Sequence, residues 1–395
     1  MSESLDFVVV GKGMMGAAAA RHLAAAGASV ALIGPDEPED WASHGGVFAS
    51  HYDNARITRT IDEDPVWARL ARRSIDRYPA IAGESGIDFY AEVGCLIAAP
   101  APGGEFDYLD KVGHARDRLG VEAPLISGDD LVQRFPWFRF PQGYGGIHEA
   151  SGAGHINPRA LVRAQTLLAE RSGARVIRSE VISVDERSDH VAVATADFQT
   201  VRARRVLVAA GGFSLSNALL PRPIDLVVKA RTVLFAEVGA EDLADFEGMP
   251  SLIGAAPEQA RSYYLLPPVA YADGKYYIKI GGDPTDRMLA SEPAVRGWFR
   301  AGGNKAAADH MHGLLAEVMP GFRPVSTHFA PCVTSFTRHG YPYIGFASDR
   351  LAVVTGGNGQ AAKSSDEIGR LGAVLVLNGH LDAPEYETDF AVSYR

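Results

Sequence analysis

Four stretches of the sequence carry residues that could do chemistry together. The first is Gly11-Lys12-Gly13-Met14-Met15-Gly16, a Gly-x-Gly-x-x-Gly spacing suited to a dinucleotide pyrophosphate. In that pattern Gly11 allows the tight turn, Gly13 admits the phosphates with no Cβ in the way, and Gly16 lets a helix pack close to a strand. The second is Arg56-Ile57-Thr58-Arg59, which could face a cofactor and an anionic substrate; composition alone fits a surface loop whose arginines pair with Asp62, Glu63 and Asp64. In the third, Lys275 to Ile280, alternation sets Tyr276, Ile278 and Ile280 on one face and Tyr277 and Lys279 on the other, so that Lys279 read alone is a solvent-facing lysine. The fourth runs from Gly356-Gly357-Asn358-Gly359 to Lys363; Ser364 and Glu367 after it read as a capping box opening a helix through Ile368, Leu371 and Leu375 to Gly379. A helix N-terminus leaving a glycine turn is a positive dipole end, able to stabilise the negative charge of a reduced isoalloxazine.

Regular elements must position these groups. Residues 7–10 are apolar and largely β-branched, the pattern of a buried parallel strand, and an alanine-rich helix over residues 14–26 follows the glycines, with Gly27 as its C-cap. A second strand ends at Ile33. Gly34 then stands where an acid usually takes the ribose hydroxyls, and the nearest acid is Asp36, which leaves FAD, NAD and NADP open. Spacing predicts helices over residues 66–82, 108–119 and 159–172 and strands over 90–98, 145–147, 174–184, 190–195 and 206–209, the last ending in Ala210-Gly211-Gly212. Further strands are expected over 228–238, 263–267, 275–281 and 351–355, and the aromatic turn Phe135 to Phe140 reads as core. A helix, a short meander and a strand ending in Gly-Gly would return the chain to the nucleotide domain, a winding typical of flavoproteins. The expected architecture is α/β: a discontinuous Rossmann-like domain from residues 1–89, 151–223 and 323–395, and an α+β domain from 90–150 and 224–322 on a mixed or antiparallel sheet.

With 395 residues and 47% hydrophobic content the chain can bury a core large enough for two domains. A net charge of −10 argues against nucleic acid and anionic membranes as partners and favours a small molecule. Cys95 and Cys332 form no Cys-x-x-Cys array, and no Gly-x-Ser-x-Gly elbow or His-x-x-x-His pair occurs, so disulfide, zinc and serine-hydrolase readings lack support; His310 and His312 read as a solvated helix face. With no basic leader and no apolar span of roughly 18 residues, the cytoplasm is the expected compartment.

Taken together, these motifs resemble the monomeric sarcosine oxidase and N-methyltryptophan oxidase branch of the D-amino-acid-oxidase-like flavoproteins, from Val8 to about Gly379. The resemblance implies FAD, held by Gly11, Gly13, Met14, Met15, Gly16, Asp36, Ser43, Arg56, Val181, Gly211, Gly357, Asn358, Gly359 and Lys363. It places Arg56 beside the flavin and gives Arg59 and Lys363 a substrate carboxylate, which a fork and a point charge suit physically. Lys279 corresponds to the family lysine near flavin N5, where oxygen reacts, and Tyr264 to an active-site tyrosine. Cys332 matches the cysteine that carries the flavin 8α-methyl as a thioether, whereas Cys95 reads as core. Three positions depart from the pattern: Gly34 for the acid of the second strand, His339 for an acid after Thr337, and Asp283 for the active-site histidine. The implied activity is an FAD-dependent oxidase of a secondary or N-methyl amino acid, a monomer or homodimer that passes a hydride equivalent to N5 and reduces oxygen to hydrogen peroxide. A dehydrogenase with another acceptor and a non-catalytic flavin subunit are the alternatives.

Overall fold

Phe7 to Val10 are all buried, the situation of a strand covered by helices on both faces. In the computed structural model, which describes residues 4–395, this strand (Leu5–Val10) pairs in parallel with Val30–Ile33 on one side and Thr200–Val208 on the other. Arg175–Ile177 and Leu351–Thr355 extend the parallel sheet beyond those two. Val181–Glu186 and Val191–Thr195 add an antiparallel meander, and Tyr343–Phe346 pairs antiparallel with Leu351–Thr355.

The helix Met14–Ala25 buries Ala17 to Ala20 completely, and their small side chains let a second helix, Ala361–Asn378, come very close. At Gly369 a Cβ would lie 2.5 Å from the Met15 carbonyl oxygen, so only glycine fits there. Two buried acids fasten this second helix. Asp366 accepts from Arg21 and from Gln165, each at 2.8 Å, and from Arg77; Glu367 accepts from Arg77 at 2.5 Å, from Tyr386 at 2.7 Å and from Arg370. Burial alone would raise the Asp366 carboxyl, but His22, Arg21 and Arg77 hold it well below the usual carboxylate range.

The second sheet runs in the order Thr327–Thr337, Leu226–Val238, Tyr276–Gly281, Tyr263–Ala270, Ser251–Gly254, Cys95–Pro100, Tyr144–Glu149, Leu125–Ile126. It is mixed, with a parallel pairing between Ser251–Gly254 and Cys95–Pro100 and antiparallel pairings elsewhere. Phe135 and Phe138 of the aromatic turn lie in its core with Leu96, Leu252 and Leu265. The strand bearing Cys332 belongs to this sheet, although the sequence division grouped residues 323–395 with the nucleotide domain. A small sheet of Arg56–Thr58, Gly154–Ile156 and Tyr90–Ala91 completes the set.

Local differences from the sequence reading have physical causes. The expected helix over 66–82 is two helices, Pro65–Ile75 and Tyr78–Ser85, because Pro79 has no N–H to continue the ladder. The strand over 90–98 is interrupted at Gly94, whose φ is +78°, and that over 174–184 splits between the parallel sheet and the meander. Ser364 and Glu367 do not form a capping box. The helix begins at Ala361 with Gln360 as its N-cap, so Ser364 lies inside the first turn, its hydroxyl without a partner among the described residues, and Glu367 takes arginines instead. Gly379, with φ of +82°, ends this helix as expected. Among the described residues no helix is long and apolar enough to cross a membrane.

Candidate functional site

The strand-to-helix turn after Val10 is built as the glycine spacing requires. Gly11 has φ of +109°, and a Cβ there would lie 2.4 Å from the Ala209 carbonyl oxygen; at Gly16 a Cβ would lie 1.9 Å from the Gly11 carbonyl oxygen. Gly13, the N-cap of the helix, meets nothing closer than the His51 ring at 3.9 Å, so the unpaired N–H groups of the first turn open onto free space. A cavity of about 850 Å³ begins at this point, lined by Gly11, Gly13, Met14, Met15, Gly34, Val181 and Gly211. It passes Arg56, Cys332, Gly357 and Gly359 and reaches Arg59, Tyr264, Asp283 and Lys363. An anion cradle at one end and paired cations at the other fit a dinucleotide lying beside an anionic substrate.

The ribose end departs from the usual pattern for a steric reason. A Cβ on Gly34 would lie 2.6 Å from the Lys12 backbone nitrogen, so the strand closes without a side chain. Lys12 pairs instead with Asp36, which is largely exposed and lies outside the cavity lining. Ser43 is also outside it; it is exposed and its hydroxyl donates to Asp40 at 2.6 Å. His51, which the sequence reading did not single out, lines the cavity beside Gly13. Burial, then Lys12 and Arg159, push its pKa down to about 3, so the ring is neutral.

Flanking the short strand Arg56–Thr58 are two buried clusters, each an aspartate between an arginine and a lysine. In the first, Arg56 lies 3.1 Å from Asp53, and Lys279 donates to Asp53 and to the Ala55 carbonyl, both at 2.5 Å. Tyr271 donates to the other Asp53 oxygen at 2.9 Å. Lys279 is therefore a buried lysine at 0% exposure, not a solvent-facing one, and it sits behind the cavity wall, its ammonium 5.8 Å from the centre of the Tyr264 ring. Burial and Arg56 lower its pKa to about 8 against the opposing pull of Asp53.

In the second cluster, Arg59 lies 3.0 Å and Lys363 2.5 Å from the same oxygen of Asp62. Both cations line the cavity, whereas Asp62, 1% exposed, lies behind them. Arg59 Nε is buried without a partner among the described residues, an orphaned donor that a ligand anion would satisfy. Burial and Arg59 lower the Lys363 pKa to about 8 while Asp62 raises it. Arg59 is thus both ion-paired, as the composition suggested, and buried at a site, as the spacing suggested.

The remaining expected residues divide. Tyr264 lines the cavity with its ring laid across Gly281, where a Cβ would be 2.2 Å from it, and Tyr263 lies likewise across Gly254. Cys332 lines the cavity, with Arg56 donating to its sulfur at 3.4 Å. Asp283 lines it too, but its oxygens already accept from the Thr232 and Thr285 backbones at 2.7 and 2.8 Å and from the Thr285 hydroxyl. Asn358 does not line it; its amide braces Thr337 and the Gly356 carbonyl. Gly16 contributes through packing alone. Phe106, which the sequence reading did not single out, and Tyr108, which it placed at the start of a helix, form a stacked wall beside Arg59. Cys95 is fully buried and burial pushes its thiol up to about 12.

The chain as a whole has counterparts among known proteins. The chain is 25% identical over 385 residues to monomeric sarcosine oxidase of Bacillus sp. strain B-0618, covering 96% of this chain and 94% of the relative. It is 25% identical to N-methyl-L-tryptophan oxidase of Citrobacter koseri, with 93% of each chain covered. Its fold superposes on the crystal structure of NikD, an unusual amino acid oxidase essential for nikkomycin biosynthesis, with a TM-score of 0.77 at 21% identity, covering 100% of this chain and 98% of that one. The family model for FAD dependent oxidoreductases matches residues 6–375, and with the phosphate cradle and cavity built as described, the chain belongs to that FAD-dependent family.

Proposed function

We propose that the protein is an oxidase of secondary or N-methylated amino acids, releasing hydrogen peroxide. The observation that carries this reading is the convergence of Arg59 and Lys363, from opposite ends of the sequence, on one oxygen of Asp62 at the wall of the cavity that begins at the phosphate cradle. Gly11, Gly13 and the first turn of the following helix would hold the FAD pyrophosphate, and Gly357, Gly359, Arg56 and Cys332 would surround its ring. Bound there, FAD supplies the two-electron oxidation of the C–H bond next to nitrogen, with oxygen reduced to hydrogen peroxide.

The protein's own residues bind, orient and hold charge. Arg59 and Lys363 take the substrate carboxylate, a fork and a point charge on one anion, and so fix the amine relative to Tyr264. Lys279 keeps a positive charge in a dry place behind Tyr264, where it favours the electron transfer that places negative charge on oxygen. Asp283 shapes the wall; its oxygens are committed to Thr232 and Thr285, so it is not assigned as a base. The imine product hydrolyses in water. Cys332 would hold the flavin ring as a thioether at its 8α-methyl, the S–H and C–H hydrogens leaving and their two electrons passing to oxygen; its place on the cavity wall and the Arg56 guanidinium beside its sulfur support this. The free thiol of Cys95 suits a reducing cytoplasm. A peroxide-coupled screen of the purified chain against N-methyl and cyclic amino acids tests the reading; turnover of amines lacking a carboxylate in preference to amino acids would sink it.

A further inference from the structure

The charge left over at the carboxylate site limits what else a substrate can carry, an inference that rests on the reading of Arg59 and Lys363 given above. Arg59 and Lys363 bring two positive charges to the wall, and Asp62 removes one from behind, 3.0 and 2.5 Å away. One substrate carboxylate neutralises the remainder. Glu149 also stands near both cations, but burial raises its carboxyl above the usual carboxylate range, and it accepts from the Thr60 and Ile61 backbones at 2.9 and 3.0 Å. The orphaned Arg59 Nε marks where that single carboxylate binds. Glu63, the next residue after Asp62, lines the cavity at its rim and has no hydrogen-bond or ion-pair partner among the described residues. Beside it stand Phe106 and Tyr108, stacked 6.0 Å apart, facing a cavity also walled by Ile253 and Tyr263.

We propose that Asp62 and Glu63 make the site selective for amino acids with one carboxylate and an aromatic, neutral or cationic remainder, and turn away a second carboxylate. The aromatic wall favours flat apolar groups and, through ring faces, a cation. A second carboxylate beside Glu63 would meet its charge, because Arg59 is engaged by Asp62 and the first carboxylate, and Arg231, another arginine of the cavity lining, by Asp286 and the Thr285 carbonyl.

The test uses purified full-length holoenzyme and anaerobic flavin bleaching with the matched pair N-methylglutamine and N-methylglutamate, which differ in charge more than in shape. Wild type should favour the amide by about thirtyfold in kcat/KM, the effect of unit charges roughly 8 Å apart in a partly dry cavity. Glu63→Gln should cut that preference about tenfold, and Asp62→Asn should shift it the same way; where Asp62→Asn does not fold, Glu63→Gln carries the test. A wild-type preference below about threefold, or one unchanged by Glu63→Gln, overturns the inference while leaving the oxidase reading intact. Failure of every N-methyl amino acid, N-methylglycine included, to bleach the flavin overturns both.

Discussion

Replacing Lys363 by methionine isolates the charge that the site presents to a carboxylate. The ammonium and the Arg59 guanidinium both rest on Asp62 Oδ2, at 2.5 and 3.0 Å, so Lys363→Met leaves Arg59 and Asp62 as a neutral pair. A cation about 4 Å from a carboxylate is worth roughly 4 kcal/mol at an effective dielectric of about 20. Truncating one partner of a buried charged pair typically costs about 2–5 kcal/mol, so kcat/KM for an N-methyl amino acid should fall by roughly 30-fold to 1,000-fold or more. The same variant should lose less than about threefold on the methyl ester of that substrate, which carries no carboxylate charge. The pH dependence has a defined sign. With its pKa lowered to about 8 by burial and by Arg59, Lys363 is charged below that pH and loses its charge as pH rises through it, so KM for the carboxylate substrate should rise above about pH 8. Lys363→Arg should remove that rise. Steady-state peroxide release at several pH values, repeated as anaerobic flavin reduction, supplies the numbers. Equal losses on acid and ester, or a KM flat between pH 7 and 9, would refute the assignment.

Lys279→Met should slow reoxidation by oxygen by about 10²–10³-fold while anaerobic reduction by substrate stays within a few-fold, measured by separate stopped-flow half-reactions; an equal loss in both would remove its oxygen role. Cys332→Ser should release its flavin on acid precipitation, leaving a white pellet where wild type leaves a yellow one; a colourless wild-type pellet excludes the thioether. Asp366→Asn should cost about 3–5 kcal/mol of stability, because Arg21 and Arg77 lose a buried counter-charge, and thermal melting would measure it. Since Asp366 is held below its unfolded value, its stabilisation is present above about pH 4 and is lost as pH falls further, so the wild-type and variant melting curves should converge in acid.

Much of the site was legible because the residues that make it carry local signatures. Gly11 and Gly16 are forced by close approaches to Ala209 and to Gly11 itself, and such steric demands leave glycine at fixed spacing. Alternation in Lys275 to Ile280 correctly put Tyr277 and Lys279 on one face, yet misjudged that face as wet. The partner that buries Lys279, Asp53, comes from a loop far away in sequence, and alternation holds no information about it. Asp53 and Asp62 each stand three residues from an arginine, Asp53 before Arg56 and Asp62 after Arg59, and that spacing was the available clue to both clusters. The apparent capping box failed because Ser364 and Glu367 satisfy a local pattern while Glu367 answers to Arg77 and Arg370, a tertiary demand. Ser43 and Asp36 were expected at the flavin, but tertiary and loop partners claim them: Asp36 pairs with Lys12, and the Ser43 hydroxyl donates to Asp40.

The helix that delivers Lys363 also holds, within one turn of it, Asp366 and Glu367, bolted to Arg21 of the first helix and to Arg73 and Arg77 of the stretch after residue 65. The proposed carboxylate lysine and the structural anchors therefore share a single post. Heat cannot loosen the ammonium gradually while the scaffold survives, so inactivation and melting should coincide as one event, without a long-lived folded but idle form.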